Sequence, residues 1–594
     1  MILLKKIMNF IAVFSNKLNS VIILGLKGSL IKLDLKINAF YNNIINIKYF
    51  NVYTIASVPS LQYTVDPLKI YRIQENLIFY QNKLLRLEYI NTLFDIWLLP
   101  EFFLSLIILY YIFIYIYLIF KQKYLKSLDF YFITSLLLKF CCYLLIVLFN
   151  ILYILLKFNL CIFYLNFFMI NIFSIIIKII ITLIFLYILY IVRFWYSQYQ
   201  KYIIEIYFLL LSSLFFSYIL LSSINLMLAY IAIEGLSLQV YALAILNFTT
   251  ISIEIILKYF LLGSLASAIL LYGISLLYGL YGSLNFFILK NSFFKIYLLD
   301  FFFNSNLCKI SIFLIFFGLL FKLGLYPLHF WVPSVYSNSP NIVIFFLNTI
   351  IKLVLFIFTF NLFIVIFFYF LYSLKLYFII SCIGSMLIGA VGASKELKIK
   401  NFISYTSINQ IGFLMIGLIC YSELSIYYCL YYLFIYLILT IGFLNIIFNI
   451  QQAFTHQPVI YFNDLKFFYK KNIIFSFIFS TYILSFAGLP PFCGFFGKLN
   501  IYFSIMNSKM FLLLFIIMFL NLISLYYYIK ILKIIWFENL INFDSKYLPY
   551  RIKKSKLINF TIFLTSIFNI FFLLIIDIYD SFILKLFFSM MLTS

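Results

Sequence analysis

Phe321-Lys322-Leu323-Gly324-Leu325-Tyr326-Pro327-Leu328-His329-Phe330-Trp331 follows the uncharged apolar run Ile310–Leu320, which places Lys322 near the middle of a membrane helix. A lysine at that depth costs about 2.5–3.5 kcal/mol on insertion scales and marks a functional position by default. Gly324 and Pro327 follow at once. Proline removes a backbone donor, and a helix is broken at membrane depth only where the backbone is buried in protein or lines a wet cavity. A charge beside a helix break inside a membrane is the signature of an ion path. His329, one of only 2 histidines, lies seven residues beyond the lysine.

The composition supports that setting. Of 594 residues, 66% are hydrophobic and 10% charged, against about 45–50% and about 25% in soluble domains. The chain therefore reads as an integral membrane protein. Its 78 Phe and 52 Tyr, with abundant Ile, Asn and Lys, fit A+T-rich codons and an organelle gene. In a soluble chain the net charge of +24 would point to nucleic acid. Here the lysines cluster in short loops between apolar runs, the positive-inside pattern, and no nucleic-acid partner is expected. Among 8 cysteines only Cys141 and Cys142 are close, and no C-x-x-C occurs. No iron–sulfur, zinc or haem site is expected, and no bound cofactor or metal.

Residues 1–96 mix Lys, Asn and Tyr with scattered apolar positions and read as a non-spanning extension packed on neighbouring subunits. From Leu98 the apolar runs predict an all-α polytopic membrane protein of about fourteen transmembrane helices. They lie near 98–120, 129–156, 171–192, 203–223, 225–247, 256–281, 309–330, 341–361, 374–394, 400–421, 424–449, 472–506, 510–537 and 557–584. Gly488-Leu489-Pro490-Pro491 divides the twelfth, just ahead of Lys498. Matched interruptions in corresponding halves point to a transporter with internal repeats. Three helices in 97–200 would precede a five-helix repeat in 201–361 and an inverted one in 374–537, with a last helix in 556–584. Each repeat would carry a broken fourth helix, and Lys322 would superpose on Lys498.

Basic residues collect in the loops after odd-numbered spans, as at Lys121, Arg193, Lys398, Lys471 and Lys554, and only Lys290, Lys295, Lys309 and Lys509 follow even ones. The odd loops then face the matrix or cytoplasm and both termini the opposite compartment.

Glu234 lies in the fifth span and Lys258 opens the sixth. The short turn between them predicts antiparallel neighbours and a buried Glu234–Lys258 pair. In a low dielectric an unpaired charge of either sign is disfavoured, so pairing keeps both charged and loosening the pair frees a proton. Lys322, Lys352 and Lys498 continue the series, and such a row can pass protons through intervening water. Each has a bland alternative. Lys258 can snorkel to the interface, and His329 is equally readable as a hydrogen-bonded structural residue. Lys139, Lys178 and Lys375, with no break or partner, read as snorkelling or subunit contacts. His456 reads as a solvated loop residue.

These residues carry a resemblance. Ala232-Ile233-Glu234-Gly235-Leu236-Ser237-Leu238-Gln239-Val240-Tyr241 resembles the I-E-L-x-S-L-x-x-Y motif of the subunit 2 family of proton-pumping NADH:quinone oxidoreductase, respiratory complex I. Leu257-Lys258-Tyr259-Phe260-Leu261-Leu262-Gly263-Ser264 is similar to the family's L-K-Y-F-I-L-G-A, and the opening stretch, extended to Pro333, to F-K-x-x-x-V-P-F-H-x-W-x-P. Ser404-Tyr405-Thr406-Ser407-Ile408 and Leu484-Ser485-Phe486-Ala487-Gly488-Leu489-Pro490-Pro491 through Lys498 match two further motifs. The likeness runs from about Pro100-Glu101 to 537.

The resemblance implies a proton path through Glu234, Lys258, Lys322, Lys352 and Lys498, with His329 as a relay. It implies redox chemistry in other subunits, partners among the membrane subunits of complex I, and a mitochondrial inner-membrane lipid setting that includes cardiolipin. Gln410 stands where many relatives place histidine and cannot titrate, so that link needs water or another group. Gly235 replaces a leucine and predicts looser packing. A cation/proton antiporter subunit and a purely structural membrane subunit are the rival readings.

Overall fold

The computed structural model describes residues 100–121, 145–146, 148, 152, 162–164, 167–194, 203–245, 250–299, 302–452, 459–466, 468–538, 550–552 and 555–591. The 1–96 extension, most of the expected 129–156 span, Lys139 and His456 lie outside them. Among the described residues ten helices are long and apolar enough to cross a membrane, or eleven if a bent pair counts as one span. The protein is an all-α polytopic membrane protein.

In chain order the helices are α1 (Pro100–Lys121), α2 (Ile172–Phe194), α3 (Ile203–Ser222), α4 (Leu226–Ala244), α5 (Thr250–Tyr281), α6 (Phe286–Leu299), α7 (Phe302–Leu323) and α8 (Trp331–Asn338). There follow α9 (Asn341–Ile366), α10 (Leu371–Lys395), α11 (Ile399–Cys420), α12 (Glu423–Asn449), α13 (Ile473–Ala487), α14 (Cys493–Asn507), α15 (Phe511–Trp536), α16 (Lys556–Ile570) and α17 (Phe572–Met591). Two short antiparallel ribbons, Ile162–Tyr164 with Phe168–Ile170 and Ile450–Gln452 with Tyr550–Ile552, add a little sheet in the loops.

Lipid offers no hydrogen bonds, so polar groups inside the spans must be satisfied by the chain itself. The hydroxyls of Ser213, Ser217, Ser381 and Thr440 return to carbonyls of the preceding turn. Asn225 caps α4 by accepting from Met227 N at 2.9 Å, and Ser422 caps α12. Helices α9, α11 and α12 form the interior, whereas α5 and α15 keep an apolar face bare. Helix α9 contains two wide π-turns, Leu347–Ile351 and Leu362–Ile366, and Lys352 follows the first. Such π-bulges gather at functional positions.

The two expected interruptions are present and share one backbone design. Helix α7 ends with Gly324 N donating to Phe321 O (3.0 Å) and Leu325 N to Leu320 O (2.9 Å). Helix α13 ends with Gly488 N donating to Ser485 O (3.0 Å) and Leu489 N to Leu484 O (3.1 Å). Both are Schellman caps, which need a left-handed residue, and the glycines adopt φ of 73° and 83°. A proline follows each glycine by three positions, at Pro327 and Pro491. With the breaks in this register, Phe486 falls opposite Lys322 and Ser334 opposite Lys498. In chain position the two lysines therefore do not correspond as expected: one precedes its break and the other follows it.

Hydrogen bonds between loops show which loops share an end of the bundle. Phe168 bridges Ser223, and Asn225 bridges Asn285. At the other end Lys398 bridges Tyr461, Ile450–Gln452 pairs with Tyr550–Ile552, and Lys400 Nζ donates to Ser339 O at 2.7 Å. Loops after even-numbered expected spans thus meet one another, as do loops after odd ones, so each broken helix still carries the chain across. The expected single span at 557–584 is instead α16 and α17, bent by 92°.

Candidate functional site: a row of buried charges

Helix α4 places Glu234 and Ser237 one turn apart, and α7 delivers Lys322 to both. Lys322 Nζ donates to Glu234 Oε1 at 3.0 Å and to Ser237 Oγ at 3.1 Å. The lysine side chain is 4% exposed and the glutamate 25%. Two residues beyond Lys322 the chain leaves the helix at Gly324, where an added Cβ would lie 2.4 Å from Val332 Cγ2. Trp331 folds back over the break, donating from Nε1 to Phe321 O at 2.8 Å. Tyr259 of α5 stacks on that indole at 4.4 Å.

That stacking explains a correction. The expected Glu234–Lys258 pair does not form. Tyr259 turns inward, so its neighbour Lys258, about 100° round the helix, points outward. Lys258 pairs instead with Glu254 one turn earlier, at 2.6 Å, with side chains 67% and 66% exposed. Helices α4 and α5 are neighbours as expected, and the difference lies in which side of α5 faces α4.

Lys352 is buried on α9, its Nζ 5.6 Å from the centre of the Tyr336 ring and without a hydrogen-bond partner among the described residues. Tyr336 donates to Asn348 Oδ1 at 3.0 Å. Lys498 on α14 reaches back across its break and donates to Phe486 O at 2.6 Å and Ala487 O at 3.2 Å. These are carbonyls that the Schellman cap leaves unbonded. His329 is buried against Tyr326 and Phe330, and its Nδ1 has no partner among the described residues.

Gln410 is buried on α11. It accepts from Tyr432 OH and donates from Nε2 to Tyr528 OH at 3.5 Å. Gly235 does not loosen its surroundings, because the Phe216 ring occupies the space a Cβ would need, 2.5 Å away.

A second charge pair escaped the sequence reading. Lys178, expected to snorkel, is fully buried and bonded to Glu101, which also accepts from Ser222 Oγ at 2.7 Å. It joins α1, α2 and α3. No periodicity links residues so far apart in the chain; the only available signal was a glutamate opening one apolar helix and a lysine inside another.

Apolar spans around a buried carboxylate–lysine pair, with two discontinuous helices, define a polytopic membrane protein of transporter type. Residues 223–524 match the family described as NADH:quinone oxidoreductase/Mrp antiporter, TM. The chain belongs to that family. It is 33% identical over 350 residues to the NADH-ubiquinone oxidoreductase chain 2 of Marchantia polymorpha, covering 59% of this chain and 70% of that one. It is 35% identical over 336 residues to the NADH-quinone oxidoreductase subunit N of a Wolbachia strain from Brugia malayi, covering 56% and 69%. A chain of Thermus thermophilus respiratory complex I shares the fold at a TM-score of 0.63 and 22% identity, covering 81% of this chain and 99% of that one. A chain of the Mrp complex from Dietzia does so at 0.60 and 18%, covering 76% and 82%.

Proposed function

We infer that this chain is the antiporter-like, proton-translocating membrane subunit of an NADH:quinone oxidoreductase. The observation that carries it is the buried Lys322–Glu234 pair beside the α7–α8 break, in a chain whose sequence relatives bear that enzyme's name. Protons would pass along Glu234, Lys322, Lys352 and Lys498, with His329 as a side relay and Lys258 outside the row. The chain would bind no redox centre of its own, electron transfer and quinone reduction falling to other subunits. The two caps in one register support inverted repeats at 201–361 and 374–537. Basic loops after odd spans support a matrix-facing side and termini in the opposite, intermembrane compartment, and the residue composition expected of A+T-rich codons supports the mitochondrial inner membrane as location. Other complex I membrane subunits and cardiolipin-containing lipid would surround it.

Removing the ammonium or fixing its proton tests this. Lys322→Ala and Lys322→Arg should both lower proton uptake per NADH oxidised in closed vesicles while the complex still assembles, because arginine keeps charge but does not release a proton. Unchanged stoichiometry in both would make the lysine structural. The Mrp-like fold keeps a cation/proton antiporter as the second reading; uptake that requires sodium would favour it.

A further inference from the structure

Lys498 keeps its ammonium on the Phe486 and Ala487 carbonyls only while α13 and α14 hold a fixed spacing, since donor and acceptors lie on opposite halves of the broken helix. At the tips the halves touch directly. Gly494 N donates to Ser485 Oγ at 3.1 Å, and a Cβ on Gly494 would collide with Ser485 O. In the first break a side chain adds a further tie, the Trp331 indole donating to Phe321 O. In the shared register Trp331 falls opposite Phe495, whose ring carries no donor. The second break takes its tie from outside the broken helix.

That tie is Asn569, in the last turn of α16 and 0% exposed. Its Nδ2 donates to Thr481 O on α13 at 3.0 Å, and its Oδ1 accepts from Cys493 Sγ, at the start of α14, at 3.1 Å. A main-chain carbonyl can only accept, so the amide has one orientation here and both its ends are committed. Thr481 lies five residues before Phe486, and Cys493 five before Lys498. The amide and the ammonium therefore link the same two halves, about one and a half turns apart on each. Helix α16 is itself fixed along α13, where Tyr482 OH donates to Ile562 O at 2.9 Å and lies 2.6 Å from Thr565 Oγ1.

We propose that Asn569 is a positioning residue for Lys498: it sets the spacing of the two half-helices and so holds the Phe486 and Ala487 carbonyls where the ammonium can bond them. The inference rests on the proton path of the preceding section. It makes α16, which lies outside both expected repeats, a working part of the second break. An amide suits the task because it offers a donor and an acceptor without a charge, so the tie adds no titrating group and no counter-charge beside Lys498.

The test uses the assembled complex in closed vesicles, reading proton uptake per NADH oxidised, the melting profile, and the structure of each variant at the break. Asn569→Leu keeps the volume and removes both bonds. It should lower uptake about 10-fold, the smaller end of what a hydrogen bond to a charged group contributes, and Lys498 Nζ should leave hydrogen-bond reach of at least one of its carbonyls. Cys493→Ala cuts the α14 side alone and should also lower uptake. Cys493→Ser, which returns a donor to Oδ1, should recover it. Thr565 bonds only α13 and its own helix among the described residues. Thr565→Val should therefore loosen α16 and lower the melting profile slightly while leaving uptake unchanged. If Asn569→Leu fails to assemble, the Cys493 pair decides, and equal uptake in its two members overturns the inference. Unchanged uptake in Asn569→Leu, or an equal loss in Thr565→Val, with uptake lost in Lys498→Arg, overturns it and leaves the proton path standing. Unchanged uptake in Lys498→Arg means that 498 needs only a charge, and removes the part of the path on which this inference rests.

Discussion

The two broken helices solve one backbone problem identically and one charge problem differently. Each first half ends in a Schellman cap on a left-handed glycine, Gly324 or Gly488. Each cap leaves carbonyls at the negative end of a half-helix, a place that favours a cation. In the first break the cation is Lys322, carried by the ending helix itself and tied sideways to Glu234 and Ser237. In the second it is Lys498, sent back from the following helix to bond the free carbonyls directly. Repetition at the level of backbone does not require repetition of residue positions; what recurs is a positive charge at the end of a broken helix. Lys322 can be held or released by a carboxylate, whereas Lys498 answers only to backbone dipoles and to proton supply.

That contrast is sharpened most by Lys498→Arg. A guanidinium has donors enough for both the Phe486 and Ala487 carbonyls, so the complex should assemble. Arginine does not deprotonate at working pH, so proton uptake per NADH should fall to background. Uptake retained with arginine at 498 would mean that the second break needs only a charge, and the two lysines would then differ in kind.

Next in size is Glu234→Gln. It breaks one side of a mostly buried pair, an insult that typically costs about 3–5 kcal/mol, here toward the lower end because the glutamate is a quarter exposed. Thermal unfolding of the assembled complex should move down, and Glu234→Asp should recover part of the loss. An unchanged melting profile together with unchanged pumping would show that Lys322 needs its carboxylate no more than Lys498 does.

Smaller still is Gly488→Ala. A side chain at φ of 83° costs about 1–2 kcal/mol, and the new Cβ would lie 2.9 Å from Lys498 Cδ, the middle of a flexible chain. The matching Gly324→Ala would meet Val332 at 2.4 Å within packed helix. Alanine at 488 should therefore disturb pumping more than assembly, and at 324 assembly more than pumping. Quantifying assembled complex and proton uptake in both variants checks it, and identical profiles would break the comparison.

Much of this was legible in the sequence because membranes punish exceptions. A lysine in an apolar run, followed by glycine and proline, has few innocent explanations, and Lys322, Lys352 and Lys498 are all buried as expected. What stayed hidden was orientation and backbone. A short turn makes α4 and α5 neighbours but leaves open which face of α5 looks inward, so Glu234 was assigned the wrong lysine. The partners of Lys498 are carbonyls, which no reading of residue types displays. Lys178 on α2 has its partner 77 positions away, on α1. The bend after Ile570 carries neither glycine nor proline, so a straight final span was the natural reading.

Lys258 gives the smallest expected effect and bears on the same lesson. It shares an outward face of α5 with Leu257 and Leu261, exposed by 56% and 64%, and its only partner among the described residues is Glu254 on the same helix. An exposed pair one turn apart adds little to a fold, since water and salt screen it and both chains lose freedom to hold it. Lys258→Gln should therefore leave proton uptake per NADH and the melting profile of the assembled complex unchanged, in contrast to Lys322→Ala. The double variant Glu254→Gln/Lys258→Gln should be equally silent, which excludes a stranded glutamate as the cause of any loss. If Lys258→Gln alone halts pumping while assembly persists, α5 has turned its lysine inward in the working enzyme. The path would then run through Lys258 to Glu234, the pairing that this geometry argues against.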